Sequence, residues 1–395
     1  MSVETLVLRE HEDIVFPRNS LSAEILRELR DQFGIRCTVR LGGNNEDEVV
    51  LNSESQAGVL VLSDGTTVEL RPKTPIANIF WMWEIAFGID LKFDWSQTTK
   101  LSYLDELYSR LADVFIMRIR RLMALGLYRS YRAHSEQLRT VRGRLDLGRH
   151  LSRSWSPSLP CRYEEHEADN MHNRLLLWSL VAIFRSCAIR EETRMRAVAV
   201  ARYLMQSVAV EPQQTRTYSQ QRYDRLNMHY RPLHALGRFF VEFAGPSLTG
   251  SLHGLGVPFL VNMPLLYENF VACWLQQNLP SPYELSIHPS RKLGTSSYRM
   301  VPDLVLYTSK PERRAIAVLD TKYKVGERVS ESDLYQAVAY ATEFGVDTAW
   351  LVYPTLVSDA GGVPVGDSVT VKCSTFRIDG DLDQAGQEFL KVLGM

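Results

Sequence analysis

Asp303, Asp320 and Lys322 are two acids and an ammonium whose types and spacing can do chemistry together. Side chains alternate along an extended chain, so Asp320 and Lys322, two apart, face the same way. If Asp303 lies on a neighbouring strand, the cluster offers two hard oxygen ligands to a divalent cation, with a lysine beside the water it would bind. Mg²⁺ takes one or two protein carboxylates, fills its octahedron with water and phosphate oxygens, and lowers the pKa of a bound water. The lysine can position or deprotonate that water and offset charge at phosphorus. Phosphodiester hydrolysis needs those parts.

The surrounding pattern supplies elements to position them. Residues 298–307 read as a strand with Asp303 at its middle, and 315–323 as a buried strand with its charged residues at the far end. Ser330 followed by Asp333 fits a capping box, and Leu334, Val338, Ala341 and Phe344 form an apolar helical stripe. Asp333, Gln336 and Tyr340 then share one polar face, Gly345 ends the helix, and 348–354 read as another buried strand. Upstream, a helix starts near Pro264 and carries Glu268 inside an apolar pattern.

The order strand, strand, helix, strand, with Pro302-Asp303, Asp320-Thr321-Lys322, and Gln336 and Tyr340 in a Q-x-x-x-Y element, resembles the PD-(D/E)xK nuclease fold. That resemblance makes Asp303, Asp320 and Lys322 the expected catalytic residues, with Gln336 and Tyr340 in support. It makes Asp303, Asp320 and Glu268 the expected ligands of Mg²⁺, with Mn²⁺ as a substitute. Glu268 reads equally as a helix salt-bridge residue. Further stretches extend the likeness: 58–62, 68–73, 141–147, Tyr163-Glu164-Glu165, Asn173-Arg174-Leu175-Leu176, and 256–263 leading into 266–270. In this order the chain resembles the McrC family, the nuclease subunits of McrBC-type modification-dependent restriction systems. The resemblance implies a partner, a McrB-like hexameric AAA+ GTPase whose separate domain reads modified bases. It also implies a substrate, double-stranded DNA carrying modified cytosine. Residues 1 to about 250 would bind and stimulate that motor, and the remainder would cut.

The 395 residues fit several domains. The fold class expected is an α+β, strand-rich module over 1–75, a mostly α-helical middle over 76–250 serving motor docking, and a C-terminal α/β domain over 257–395. By resemblance that last domain is PD-(D/E)xK, restriction-endonuclease-like, with a mixed sheet flanked by helices. Val59 to Leu70 reads as a hairpin turning at Asp64-Gly65, and the turn formers between 245 and 256 mark the best boundary. Helices are expected at 21–33, from Leu101 through Arg121, at 173–189 and at 193–208.

Composition narrows the class. Lys and Arg number 45 against 46 Asp and Glu, which excludes a polycation. Between 117 and 153, however, ten arginines meet two acids, Glu136 and Asp146. Arg118, Arg121, Arg129, Arg132, Arg142 and Arg144 there read either as a DNA-tracking surface or as a solvated face with internal ion pairs. The five cysteines never form C-x-x-C, and no H-E-x-x-H occurs, so a zinc ribbon is excluded and any metal is expected on oxygen. No apolar run approaches a membrane span, and residues 1–5 lack a signal pattern, so a cytoplasmic protein is expected. Without G-x-x-x-x-G-K-[ST] the chain is not itself the nucleotide hydrolase. Three readings stay open: a Mg²⁺-dependent endonuclease subunit, a non-cleaving activator with a degenerate nuclease fold, and a stand-alone exonuclease of the RecB kind. The intact acids and lysine favour the first, and missing iron–sulfur cysteine spacing disfavours the last.

Overall fold

The computed structural model describes residues 5–41, 47–88, 104–152, 155, 157–244, 257–292, 298–309, 312–324, 329–355, 362–365 and 369–395. Contacts divide the chain into two compact units, Met1–Leu107 with Pro258–Met395, and Tyr108–Val257. The turn-rich stretch 245–256, expected as a boundary, lies outside the described residues.

The first unit opens with β1 (Thr5–Arg9), β2 (Ile14–Pro17), α1 (Ala23–Asp31), β3 (Arg36–Leu41), β4 (Asp47–Asn52), β5 (Gln56–Val61), β6 (Thr67–Arg71) and α2 (Ile76–Phe87). The expected hairpin is β5–β6: Thr66 N–H bonds Asp64 Oδ1 at 2.8 Å, and Gly65 takes φ 90° at the turn. Helix α1 starts where Ser22 Oγ accepts from Ile25 N–H at 3.2 Å. Its Leu29 joins Leu8, Leu51, Leu60 and Leu70 in one buried core.

The second unit holds α3 (Leu104–Leu125), β7 (Ser130–Leu138), β8 (Arg144–Leu145), α4 (Leu147–Leu151), β9 (Leu159–Glu167), α5 (Met171–Arg185), α6 (Glu191–Leu204), α7 (Thr215–Ser219) and α8 (Arg231–Glu242), with the first turn of α3 counted in the first unit. The long helix through Arg121, α5 and α6 answer the helical periods. The region is not uniformly helical, however, because β7, β9 and β8 form an antiparallel sheet in that order. Strand β7 is exposed along most of its length, so no apolar alternation marks it in the sequence.

Helix α5 is the core of this unit, and His234 of α8 is buried against it. His234 Nε2 meets the His172 carbonyl at 3.0 Å and Nδ1 meets the Tyr223 hydroxyl at 2.9 Å, so the neutral ring donates to one and accepts from the other. Burial lowers its pKa from the usual 6.5 to about 3. The unfolded chain therefore takes up this proton first, and stability present above pH 6.5 is lost as pH falls toward 3. The thermal midpoint is expected to drop between pH 7 and 5, His234 contributing a slope of up to about 1.4 kcal/mol per pH unit. His234→Gln should flatten that slope; an unchanged slope in scanning calorimetry would contradict this role.

The chain returns to the first unit with β10 (Phe259–Asn262), α9 (Met263–Asn278), β11 (Tyr283–Ile287), β12 (Arg291–Lys292), β13 (Arg299–Met300), β14 (Leu304–Thr308), β15 (Arg314–Thr321), α10 (Glu331–Phe344), β16 (Thr348–Tyr353), β17 (Val363–Val365), β18 (Val369–Thr375) and α11 (Leu382–Val392). Six strands form a mixed sheet ordered β11-β14-β15-β16-β18-β17, parallel across β15-β16-β18 and antiparallel elsewhere. Ala337, Ala341 and Phe344 of α10 pack on Val318, Ala349 and Leu351, as the apolar stripe requires. Phe376 meets Phe270 and Trp274 of α9 and Phe389 of α11.

The N-terminal strands and the C-terminal part of the chain belong to one unit, and a strand from the latter joins an N-terminal sheet. Strand β10 completes the sheet β1-β6-β5-β10 by pairing antiparallel with β5. At Gly58, φ is 145° and a Cβ would stand 1.9 Å from the Phe259 carbonyl oxygen, so the two backbones approach where only glycine fits. Asn78 of α2 donates to the carbonyls of Ile378 and Gly380 at 2.7 and 3.0 Å. The separate module over 1–75 thus gives way to one compact unit built from both ends of the chain. Among the described residues no helix is long and apolar enough to cross a membrane.

Candidate metal and nucleolytic site

Asp320 sits near the end of β15, 2 % exposed, where a continuous apolar strand delivers it to the edge of the core. Its alternation partner Lys322, one residue past the strand, places Nζ 2.5 Å from Asp320 Oδ2. Lys322 Nζ also donates to Gln336 Oε1 at 3.0 Å, and Gln336 Nε2 donates to the Tyr340 hydroxyl at 3.0 Å. The polar face of α10 is therefore aimed at the lysine. Asp333 begins that face 3.9 Å from Lys322 and is held by Lys324 at 2.6 Å. Ser330 caps α10 by accepting from Asp333 N–H at 3.3 Å, and Gly345 ends it at φ 67°.

Asp303 is not mid-strand as its sequence context suggests. It lies in a bend between β13 and β14, because Arg299–Met300 pairs with β12 in a separate ribbon before the chain enters the main sheet. The effect on the site is small: Thr321 donates both N–H and Oγ1 to Asp303 Oδ2, each at 2.7 Å, tying Asp303 to the end of β15.

Glu268 lies on α9, which Asn262 caps by accepting from Leu265 N–H at 3.0 Å. Its carboxylate meets the imidazole of His288, a residue the sequence reading missed. Glu268, His288 and Asp303 each bring one ligand atom within 4.8 Å of the others. Asp320 is not in that group, its Oδ2 being paired with Lys322 instead. No spacing rule would have found His288, because the pairing of β11 with β14 and a backbone hydrogen bond from His288 N–H to the Asp303 carbonyl at 2.8 Å bring it in.

The charges report crowding. Burial and then the neighbouring Asp303 push the Asp320 carboxyl up to about 6, against the pull of Lys322. Burial and Asp303 likewise raise Glu268, opposed by His288. Burial would lower the Lys322 ammonium, but Asp320, Asp333 and Asp303 together outweigh it and hold it protonated. Carboxylates close enough to repel one another, on oxygen-rich walls, fit a divalent cation. Beside them a cavity of about 610 Å³ opens, lined by Thr321, Lys322 and Lys324 and, from the N-terminal strands, by His11, Arg36 and Ser55.

The arginine-rich segment is spread over α3, β7, β8 and α4. Arg118 is half-buried, while Arg121, Arg129 and Arg144 are exposed. Strand β9 and the turn that follows it supply acids that the charge count over 117–153 leaves out: Arg142 pairs with Glu165 at 3.0 Å, and Arg132 approaches Asp169 at 3.5 Å and Glu167 at 3.9 Å. The net positive excess at this sheet is therefore smaller than the window suggests.

A family model described as McrBC 5-methylcytosine restriction system component matches residues 51–354. Among solved structures, a chain of the refined half-complex from a tetradecameric assembly of Thermococcus gammatolerans McrB AAA+ hexamers with bound McrC aligns over 98% of this chain and 100% of its own, at 16% identity and TM-score 0.58. The cryo-EM structure of the Thermococcus gammatolerans McrBC complex aligns over 70% of this chain and 88% of its own, at 16% identity and TM-score 0.44. No curated protein matches. The full-length likeness shows a shared fold.

Proposed function

Since the chain belongs to the family of McrBC 5-methylcytosine restriction system components, we propose that it is the McrC-type nuclease subunit, with a PD-(D/E)xK site that hydrolyses DNA phosphodiesters. The observation that carries this reading is the Lys322 ammonium held between buried Asp320 and Gln336, one strand from Asp303. Asp303, Asp320 and Glu268 would hold Mg²⁺, which when bound polarises the phosphodiester and makes water nucleophilic.

The protein's own groups do the rest. Lys322, paired with Asp320 and aimed by Gln336, is placed to offset negative charge developing on the phosphate. Gln336, itself held by Tyr340, fixes the direction of that ammonium. Thr321 fixes Asp303 by two hydrogen bonds, so this carboxylate is set in place before substrate arrives. The adjoining cavity gives a phosphodiester room beside Lys322.

The partner in this reading is a McrB-like hexameric AAA+ GTPase, which reads the modified cytosine, and the substrate is double-stranded DNA. We assign docking to the second unit, where the β7–β9 region, with α4 and the connections beside it, exposes Tyr131, Val141, Leu147, Leu151 and Trp155. A chain that merely activates the GTPase has no need of a lysine so held, and this favours cleavage over the accessory reading. With the GTPase, GTP and methylated duplex, Mg²⁺ is expected to give double-strand cuts and chelation to stop them. GTP turnover stimulated without any cutting would reverse the choice between the two readings.

A further inference from the structure

We propose that His288 is a nitrogen ligand to the cation of this site and that it shifts the site's preference from Mg²⁺ toward Mn²⁺. The inference rests on the metal-dependent reading above and adds a residue that neither the spacing of the acids nor the family resemblance assigns.

Three elements converge on one point. Glu268 comes from α9, His288 from the residue after β11, and Asp303 from the residue before β14, with ligand atoms within 4.8 Å of one another. The strand register explains the meeting: Ile287 pairs with Leu304, so the residues just beyond them are brought together at the end of the β11–β14 pair. His288 N–H donates to the Asp303 carbonyl at 2.8 Å, which locks the two backbones in that relation.

His288 takes φ 46°, in the left-handed region that a side-chain-bearing residue enters only against a steric penalty. The conformation turns the ring toward Glu268 and Asp303, as a ligand requires. Half of the His288 side chain stays exposed, leaving the group open on one side for water and phosphate oxygens.

The donor set then decides the ion. Carboxylates suit Mg²⁺ and Mn²⁺ alike, whereas an imidazole nitrogen favours the first-row transition ion over the harder Mg²⁺.

The test uses the full chain and Mn²⁺ alone. Pulsed electron paramagnetic resonance of bound Mn²⁺ should show nitrogen modulation from a histidine. His288→Ala should abolish that modulation and weaken Mn²⁺ binding about tenfold or more, while Mg²⁺ binding, read by competition, changes less. His288→Asp restores an oxygen donor and controls for folding: it should bind Mn²⁺ without nitrogen modulation and with the preference for Mn²⁺ over Mg²⁺ reduced. Mn²⁺ bound to the wild-type chain without nitrogen modulation would overturn the role of His288 and leave the carboxylate site standing. No Mn²⁺ bound to the wild-type chain at all would overturn both.

Discussion

Lys322→Ala is expected to slow DNA cleavage by about 10²-fold or more, the usual scale for losing a positioned charge-stabilising group. Divalent-ion binding should survive, because Asp303, Asp320 and Glu268 remain. The geometry sharpens the expectation. Lys322 is paired with Asp320 at 2.5 Å and bonded to Gln336 at 3.0 Å, so its removal also unpairs a carboxylate already pushed up to about 6 by burial. Asp320 then draws its compensation from the cation alone, and metal affinity measured by calorimetry should hold or rise. A variant that loses the metal together with activity would make Lys322 a structural residue.

The second large effect concerns where the chain can be cut. Residues 1 to about 250 look from the sequence like a separable half, but β10 and α9 lie beyond that point and complete the first unit. A chain ending at 250 loses the strand paired with β5, and with it Phe259, whose ring lies 6.1 Å from that of buried Trp83. It also loses the carbonyls that hold Asn78. Such a fragment is expected to keep cooperative melting only in residues 108 to 244, its N-terminal strands becoming protease-sensitive. The segment Tyr108–Val257, compact by itself, should fold alone. Protection of residues 5–88 in the truncated chain, read by hydrogen exchange, would show that the N-terminal strands need nothing from the C-terminal end.

Local rules made part of this architecture legible. Ser330 and Gly345 bound α10 because capping and left-handed termination are short-range chemistry, and the polar face of Asp333, Gln336 and Tyr340 follows from helical geometry. Asp320 and Lys322 were legible for the same reason, since strand alternation alone puts them on one face. What was not legible depends on pairing across long separations. His288 reaches Asp303 through the register of β11 on β14, and Gly58 meets Phe259 across two hundred residues of intervening chain. The β7–β9 sheet escaped notice because it is largely solvated and bears charged and polar side chains on most positions, so nothing alternates in hydrophobicity. The same sheet supplies ion pairs that the arginine count could not show, for Glu165 and Glu167 lie beside arginines far from them in sequence.

Buried Asp320 is proposed to belong to a metal-dependent site that cuts DNA. The most direct measurement is cleavage of methylated duplex by the complete complex carrying Asp320→Ala, with GTP turnover followed in the same sample. Cutting is expected to disappear in Mg²⁺ while assembly and stimulated GTP hydrolysis persist, because this side chain, 2 % exposed, serves the site and offers no surface to a partner. Double-strand cleavage at the wild-type rate by the purified variant complex would contradict that expectation.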